Sequence, residues 1–331
     1  MTLALVLVSC GGGSQGSTTV ATTVVTTDPA SVESTAPEPS STVAADTTMP
    51  PHESPTITID DEPCVPTTSP GISTVSVERV DGTRTYDVHM PDLGGSGLRV
   101  PLVIDMHGTT STSAAQEAYT QLGAFGIESG RWVTATPQAI GPVPAWSVPG
   151  AVPGDDLNFI EEIVVDLVAN ACVDPARVYA TGFSSGAAMS SYLGCASSLF
   201  AGVIPVAGVN LARRCEETPP VSLIAFHGLA DEIVPLEGLE GWDTSRFDDM
   251  RLFYRGEVWG TMESWARRNG CASEPVSSVV SDKTTRYEWP ECVDGTVVVL
   301  FLTKDAGHIW PKIADGVDAT EEIRRAFLDA P

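Results

Sequence analysis

Two periodicities organise the chain downstream of residue 64. Over residues 75–80 and 85–90 apolar and polar side chains alternate, with Asp81-Gly82 between the two stretches, the pattern of an antiparallel hairpin. Apolar runs follow at 100–106 (V-P-L-V-I-D-M), 131–136, 177–181 (R-V-Y-A-T), 201–206, 221–226 and 296–303, and these read as buried strands. Helical segments are expected between them, at 113–128, 156–170 and 187–199, with a closing helix at 318–329. In the segment 156–170, Leu157, Ile160, Val164, Leu167 and Val168 recur at helical spacing. Strands alternating with helices predict an α/β fold, a mostly parallel, doubly wound sheet with flanking helices and its site at the carboxyl edge.

The first sixty residues follow neither period. Residues 11–60 are dominated by Thr, Ser, Pro, Gly and Ala and contain almost no large apolar residues, so they cannot bury enough surface to fold. They read as a disordered linker with a coil span of roughly 40 Å. Ahead of it, residues 3–8 (L-A-L-V-L-V) are too short to span a bilayer and lead into Leu7-Val8-Ser9-Cys10, a bacterial lipobox pattern. Residues 1–10 are therefore expected to be a truncated signal peptide, with its positively charged portion upstream of Met1. Cys10 is the expected acylation site and residues 61–331 the catalytic domain. The implied protein is an extracytoplasmic, membrane-anchored lipoprotein, or a secreted one.

Charge narrows the partners. With 43 acidic against 18 basic residues the net charge is −25, which disfavours nucleic acid and other polyanions and agrees with a solvated exported surface. Beyond Cys10 there are six cysteines, an even number that implies disulfides in an exported chain. Local spacing pairs Cys195 with Cys215 and Cys271 with Cys292, leaving Cys64 for Cys172. No C-x-x-C or close Cys/His cluster suggests a zinc site, so no metal or cofactor is expected.

The chemistry centres on Gly182-Phe183-Ser184-Ser185-Gly186, a G-x-S-x-G pentapeptide between an apolar strand and a helical segment. A serine nucleophile elbow needs that setting, with small residues either side of a strained turn. Asp231 follows the strand at 221–226, in His227-Gly228-Leu229-Ala230-Asp231, and His308 follows the strand at 296–303, in Gly307-His308-Ile309-Trp310-Pro311. The order Ser184, Asp231, His308 is that of the α/β-hydrolase triad. A serine hydroxyl is barely nucleophilic at neutral pH. His308 would take its proton, and Asp231 would fix the imidazole tautomer and stabilise the imidazolium. The oxyanion donors expected are the backbone N–H groups of Ser185 and of Thr109, the latter in the loop His107-Gly108-Thr109-Thr110 after the strand at 100–106.

Six motifs in this order resemble the polyhydroxybutyrate depolymerase and feruloyl esterase group, which overlaps carbohydrate esterase family one. They are M-H-G-T at 106–109, D-D-L-N-F-I at 155–160, C-V-D-P-A-R-V-Y-A-T-G-F-S-S-G at 172–186, H-G-L-A-D-E-I-V-P at 227–235, W-A-R-R-N-G-C at 265–271 and G-H-I-W-P at 307–311. The resemblance covers roughly residues 64–331. It implies an α/β-hydrolase fold, a triad at Ser184, Asp231 and His308, and a serine esterase acting through an acyl-enzyme. The substrates implied are feruloylated or acetylated carbohydrate esters or short hydroxyalkanoate esters. Two stretches depart from the family: T-A-T-P-Q-A at 134–139, where it often carries a tyrosine, and an acidic, aromatic insertion at 236–256 that would give the pocket its own shape.

Other residues take plainer roles. His227 is expected to be a packed structural histidine, His107 to shape the oxyanion loop, and Asp155 and Asp156 to open a helix rather than bind metal. Glu232 is the only near rival to Asp231 as triad acid. Among Trp146, Trp242 and Trp310, Trp310 is the preferred substrate-stacking residue. A triad does not by itself distinguish esterase from peptidase or acyltransferase, and a non-catalytic cell-envelope binding lipoprotein is the reading from another class.

Overall fold

Period-2 alternation in the strands sends successive side chains to opposite faces of one sheet, and both faces are buried. Leu102, Ile104 and Met106 join one core, with Leu223, Ala225, Val298, Leu300 and Leu302, while Val103, Ile224, Phe226, Val299 and Phe301 join the other. A computed structural model of the chain describes residues 52–59, 62–148, 156–211, 219–238 and 256–329. These belong to a single compact unit, Pro50–Pro331.

The strands are β1 (Gly71–Arg79), β2 (Gly82–Met90), β3 (Val100–Met106), β4 (Val133–Pro137), β5 (Val173–Phe183), β6 (Gly202–Val206), β7 (Ser222–Gly228), β8 (Val276–Val279), β9 (Thr284–Trp289) and β10 (Val298–Thr303). They form one sheet in the order β1-β2-β4-β3-β5-β6-β7-β10-β9-β8. The central strands β4, β3, β5, β6, β7 and β10 run parallel, and antiparallel pairs close the two edges. The expected hairpin is present, Arg79 opposite Gly82. This is the mostly parallel, doubly wound sheet expected from the chain's alternation, in the α/β-hydrolase architecture that the resemblance implied. The second edge, β8 and β9, was not foreseen: β8 is exposed along its whole length, and V-S-S-V carries no burial pattern.

Helices α3 (Asp156–Asn170), α4 (Ser185–Ala196) and α5 (Val258–Arg268) cover the first face through Phe159, Ile160, Leu167, Met189, Leu193, Met262 and Trp265. The other face is covered by α2 (Leu122–Ser129) and the closing helix α6 (Ala319–Ile323), which continues as a wider turn over Arg324–Leu328. The single helix expected at 113–128 is two. Helix α1 (Ser113–Thr120) ends where Gln121 turns left-handed at φ 62°, and α2 restarts immediately after it. Glu117 bridges the break, its carboxylate accepting the N–H groups of Gly123 and Ala124 at 2.9 Å. No helix among the described residues is long and apolar enough to cross a membrane.

Cys64 is bonded to Cys172 and Cys271 to Cys292, as spacing suggested. Cys195 is also disulfide-bonded, and Cys215, the partner expected for it, lies outside the described residues. Residues 52–59, which composition assigns to the linker, make side-chain contacts with the helical face. His52 Nε2 lies 2.8 Å from the buried Glu161 carboxylate, whose other oxygen accepts the Ser197 hydroxyl at 2.6 Å. Composition averages over such a stretch and cannot register one polar pair.

A buried carboxylate fixes α1 to the sheet. Asp105, at the end of β3, accepts Gln116 Nε2 at 2.7 Å and Thr120 Oγ1 at 2.6 Å. Complete burial pushes its pKa up to about 7, against the lowering effect of the two hydrogen bonds and with smaller opposing effects of Glu117 and Lys312. In the unfolded chain the group titrates near 4, so the folded state holds the proton more tightly. Its contribution is full below about pH 4 and is lost as pH rises through about 7. Asp105→Asn keeps the shape without the titration. Urea unfolding at pH 5 and pH 8 is expected to show wild type losing about 2 kcal/mol more stability than the variant across that interval.

Candidate active site

The three residues of the expected triad stand on loops at the carboxyl edge of the sheet. Ser184 follows β5 directly, with φ 57° and ψ −114°, conformations a side-chain-bearing residue adopts only when its surroundings impose them. Its N–H donates to the Val206 carbonyl at 3.0 Å and its carbonyl accepts the Ala188 N–H at 3.1 Å, so the turn is held by β6 on one side and α4 on the other. The glycines of the pentapeptide are dictated by backbone crowding. A Cβ on Gly186 would lie 2.1 Å from the Met106 carbonyl oxygen, and one on Gly182 would lie 2.5 Å from the Gly186 backbone.

Asp231 and His308 meet although 77 residues separate them. His308 Nδ1 is 2.8 Å from Asp231 Oδ2. An ionised carboxylate only accepts, so Nδ1 carries the proton, and Nε2 is left with a lone pair to act as base. The second carboxylate oxygen accepts the N–H groups of Ile233 at 2.9 Å and Val234 at 2.8 Å, which is why D-E-I-V forms a tight turn. Burial pushes the Asp231 pKa up, but the hydrogen bond and charge of His308, the Val234 N–H and His227 outweigh it. The net position is below the ordinary carboxylate value, and the group stays anionic. Glu232, the rival acid, is exposed to solvent.

His227 has the packed role expected of it. Its Nε2 donates to the Val234 carbonyl at 2.8 Å, and burial holds its pKa below the usual histidine value, so it is neutral. His107 shapes the loop after β3. Its Nε2 accepts the Ala139 N–H at 3.1 Å, so the proton sits on Nδ1, which donates to the Gly108 carbonyl at 2.7 Å. Burial lowers its pKa and preserves that tautomer. The Gly108–Thr109 peptide is trans, so fixing its carbonyl toward His107 turns the Thr109 N–H the opposite way. The loop is also tied by the Thr110 N–H to the Pro144 carbonyl at 2.8 Å and by the Trp146 indole to the His107 carbonyl at 2.7 Å. A Cβ on Gly108 would stand 3.4 Å from Ser184 Cβ, which brings the loop against the Ser184 turn. Ser185, whose N–H is the other expected donor, is the first residue of α4 and so has no intrahelical acceptor.

Trp310 does not fit the substrate-stacking role. Its side chain is 1% exposed, packs in the second core and donates Nε1–H to Thr320 Oγ1 at 3.0 Å. Trp146 is likewise fully buried, and Trp242 lies outside the described residues, as do Cys10, Asp155 and most of the 236–256 insertion. Asp156 is a buried anchor, accepting Arg84 Nη2 at 2.5 Å and the Ser147 N–H at 2.7 Å. The ring that does border the site is Phe183, the variable residue before Ser184. Its centroid is 4.7 Å from that of His308, and its Cδ1 lies 3.3 Å from the Cβ position of Gly108. Its place in the pentapeptide was the available signal. Tyr119, which meets Phe183 edge-on, had none.

Gly186→Ala is expected to destabilise the protein by about 3 kcal/mol, because backbone rather than a flexible side chain opposes the new methyl. Chemical denaturation of variant and wild type measures it.

No protein-family model matches the chain. Feruloyl esterase B of Piromyces equi is 29% identical over 217 residues, 63% of this chain and 39% of that protein. Poly(3-hydroxyalkanoate) depolymerase C of Paucimonas lemoignei is 35% identical over 128 residues, 36% of this chain and 30% of that protein. The chain thus spans less than two fifths of either relative's length. In fold it is similar to an acetyl xylan esterase from Aspergillus awamori, with a TM-score of 0.55 over 76% of this chain and 98% of that one, at 16% identity. In sequence the chain is thus similar to a feruloyl esterase and a poly(3-hydroxyalkanoate) depolymerase, and in fold to an acetyl xylan esterase.

Proposed function

We propose that the protein is an extracytoplasmic serine esterase. Ser184 attacks the carbonyl carbon of a carboxylic ester while His308 Nε2 removes its proton. The tetrahedral oxyanion is stabilised by the N–H groups of Ser185 and Thr109. Collapse expels the alcohol, to which His308 returns the proton. Water then hydrolyses the acyl-enzyme by the same proton transfers in reverse order of roles, releasing acid and free Ser184.

The observation that carries this reading is the part-buried Asp231–His308 hydrogen bond, its imidazole packed on Phe183, the neighbour of a strained Ser184. A strained serine costs stability, and an anionic buried aspartate on an imidazole serves proton transfer. Feruloylated or acetylated carbohydrate esters and short hydroxyalkanoate esters are the substrates, by kinship with relatives named as feruloyl esterase, acetylxylan esterase and poly(3-hydroxyalkanoate) depolymerase. Export follows from the disulfides, which persist in oxidising compartments, and acylation of Cys10 is the anchor.

Chromogenic acetyl and butyryl esters and methyl ferulate are expected to be turned over by wild type. Ser184→Ala, folded by circular dichroism, is expected to lose activity by about 10⁴-fold or more. Retained hydrolysis in that variant would remove the nucleophile assignment. The ferulate-to-butyrate ratio reads the preferred acyl group.

A further inference from the structure

The loop that carries His308 is attached to helix α1 at two points. The Tyr119 hydroxyl accepts the backbone N–H of Trp310, two residues beyond His308, at 2.8 Å. The Trp310 indole donates to Thr320 Oγ1 at 3.0 Å, and Thr320 donates to the Thr120 carbonyl at 2.8 Å. Helix α1 is in turn locked to β3 by Asp105 through Gln116 and Thr120. The Tyr119 ring meets Phe183 edge-on at a centroid distance of 5.7 Å, and Phe183 lies against His308. One residue therefore touches both the segment after the imidazole and the ring beside it.

We infer that Tyr119 is a positioning residue for His308: its hydroxyl sets the height of the imidazole loop relative to the oxyanion-side helix, and its ring backs Phe183. This rests on the reading of His308 as the base. The need for such a part is geometric. The Asp231 hydrogen bond holds one nitrogen of the imidazole but leaves the ring free to pivot about that contact, and proton transfer from Ser184 requires Nε2 to stay within a few tenths of an ångström of its place. A second constraint, on the loop itself, removes the pivot. Tyr119 is 37% exposed, so its hydroxyl is engaged for the loop and not for filling a core. The same bond explains the burial of Trp310: its indole is the loop's root, tied to Thr320, and not a face offered to a ligand.

Tyr119→Phe in the full chain keeps the ring and removes only the acceptor. The expected result is a kcat on a short acyl ester lower by on the order of tenfold, with KM within about twofold of wild type and melting moved by no more than about 3 °C. Hydrogen exchange at the Trp310 amide is expected to quicken. Thr320→Val is expected to lower kcat in the same way while Thr320→Ser, which retains the hydroxyl, restores it. Unchanged kcat in both Tyr119→Phe and Thr320→Val, or a loss confined to KM or melting temperature, would overturn the inference. Faster Trp310 exchange with unchanged kcat would show the tether present but idle, and also overturns it. A wild-type protein that turns over no ester fails differently, removing the base reading and this inference with it.

Discussion

The carboxyl edge of this sheet is built by backbone meeting backbone with no side chain between. A Cβ at Gly186 would strike the Met106 carbonyl, one at Gly208 would stand 2.5 Å from the Ser184 carbonyl, and one at Gly228 would stand 2.3 Å from the Ala306 carbonyl. These contacts draw the ends of β3, β5, β6, β7 and β10 together more tightly than side chains permit. The loops that leave those ends then converge, and residues as far apart in sequence as 108, 184, 231 and 308 become neighbours. Strain at Ser184 is a cost of that convergence, and the two carbonyl and N–H contacts of its turn keep it in place.

Electrostatics are arranged in layers behind this edge. The pair at the front, Asp231 and His308, is ionisable and reaches solvent on the imidazole side, whose side chain is 15% exposed. Behind it, His227 and His107 are held neutral by burial and each donates one proton to a carbonyl, so they orient backbone without adding charge. Asp105 lies deeper still, and its carboxyl is shared between two donors on α1. Complete burial raises the pKa of that carboxyl to about 7, as the cost of burying an ion requires.

Much of this was legible from residues alone because it depends on local pattern. Alternation marked the hairpin, apolar runs marked the parallel strands, and helical spacing marked α3 from Asp156 to Asn170. The G-x-S-x-G setting identified the turn at Ser184, and cysteine spacing paired Cys271 with Cys292. What escaped depends on tertiary surroundings. Nothing in Gln121 announces a left-handed residue, and the Glu117 carboxylate that accepts the next two N–H groups is visible only once both helices exist. Strand β8 pairs through its backbone with exposed side chains, so no hydrophobic period records it. Trp310 looked like a ligand platform because it follows His308, yet direction, not proximity, decides which way an indole faces. The partnership of Tyr119 with a residue 191 positions away has no local trace.

The Cys64–Cys172 bond has a mechanical meaning. It joins the chain just before the β1–β2 hairpin to the residue just ahead of β5, across 108 positions. Thr67 and Thr68 reinforce the junction by donating to the Asn170 carbonyl. Tension on the N-terminal side meets the His52–Glu161 pair first, then passes through a covalent link into the middle of the sheet. The edge hairpin, which would otherwise peel away strand by strand, is bypassed. A domain pulled from that end is loaded at a central strand and not at the edge of its sheet.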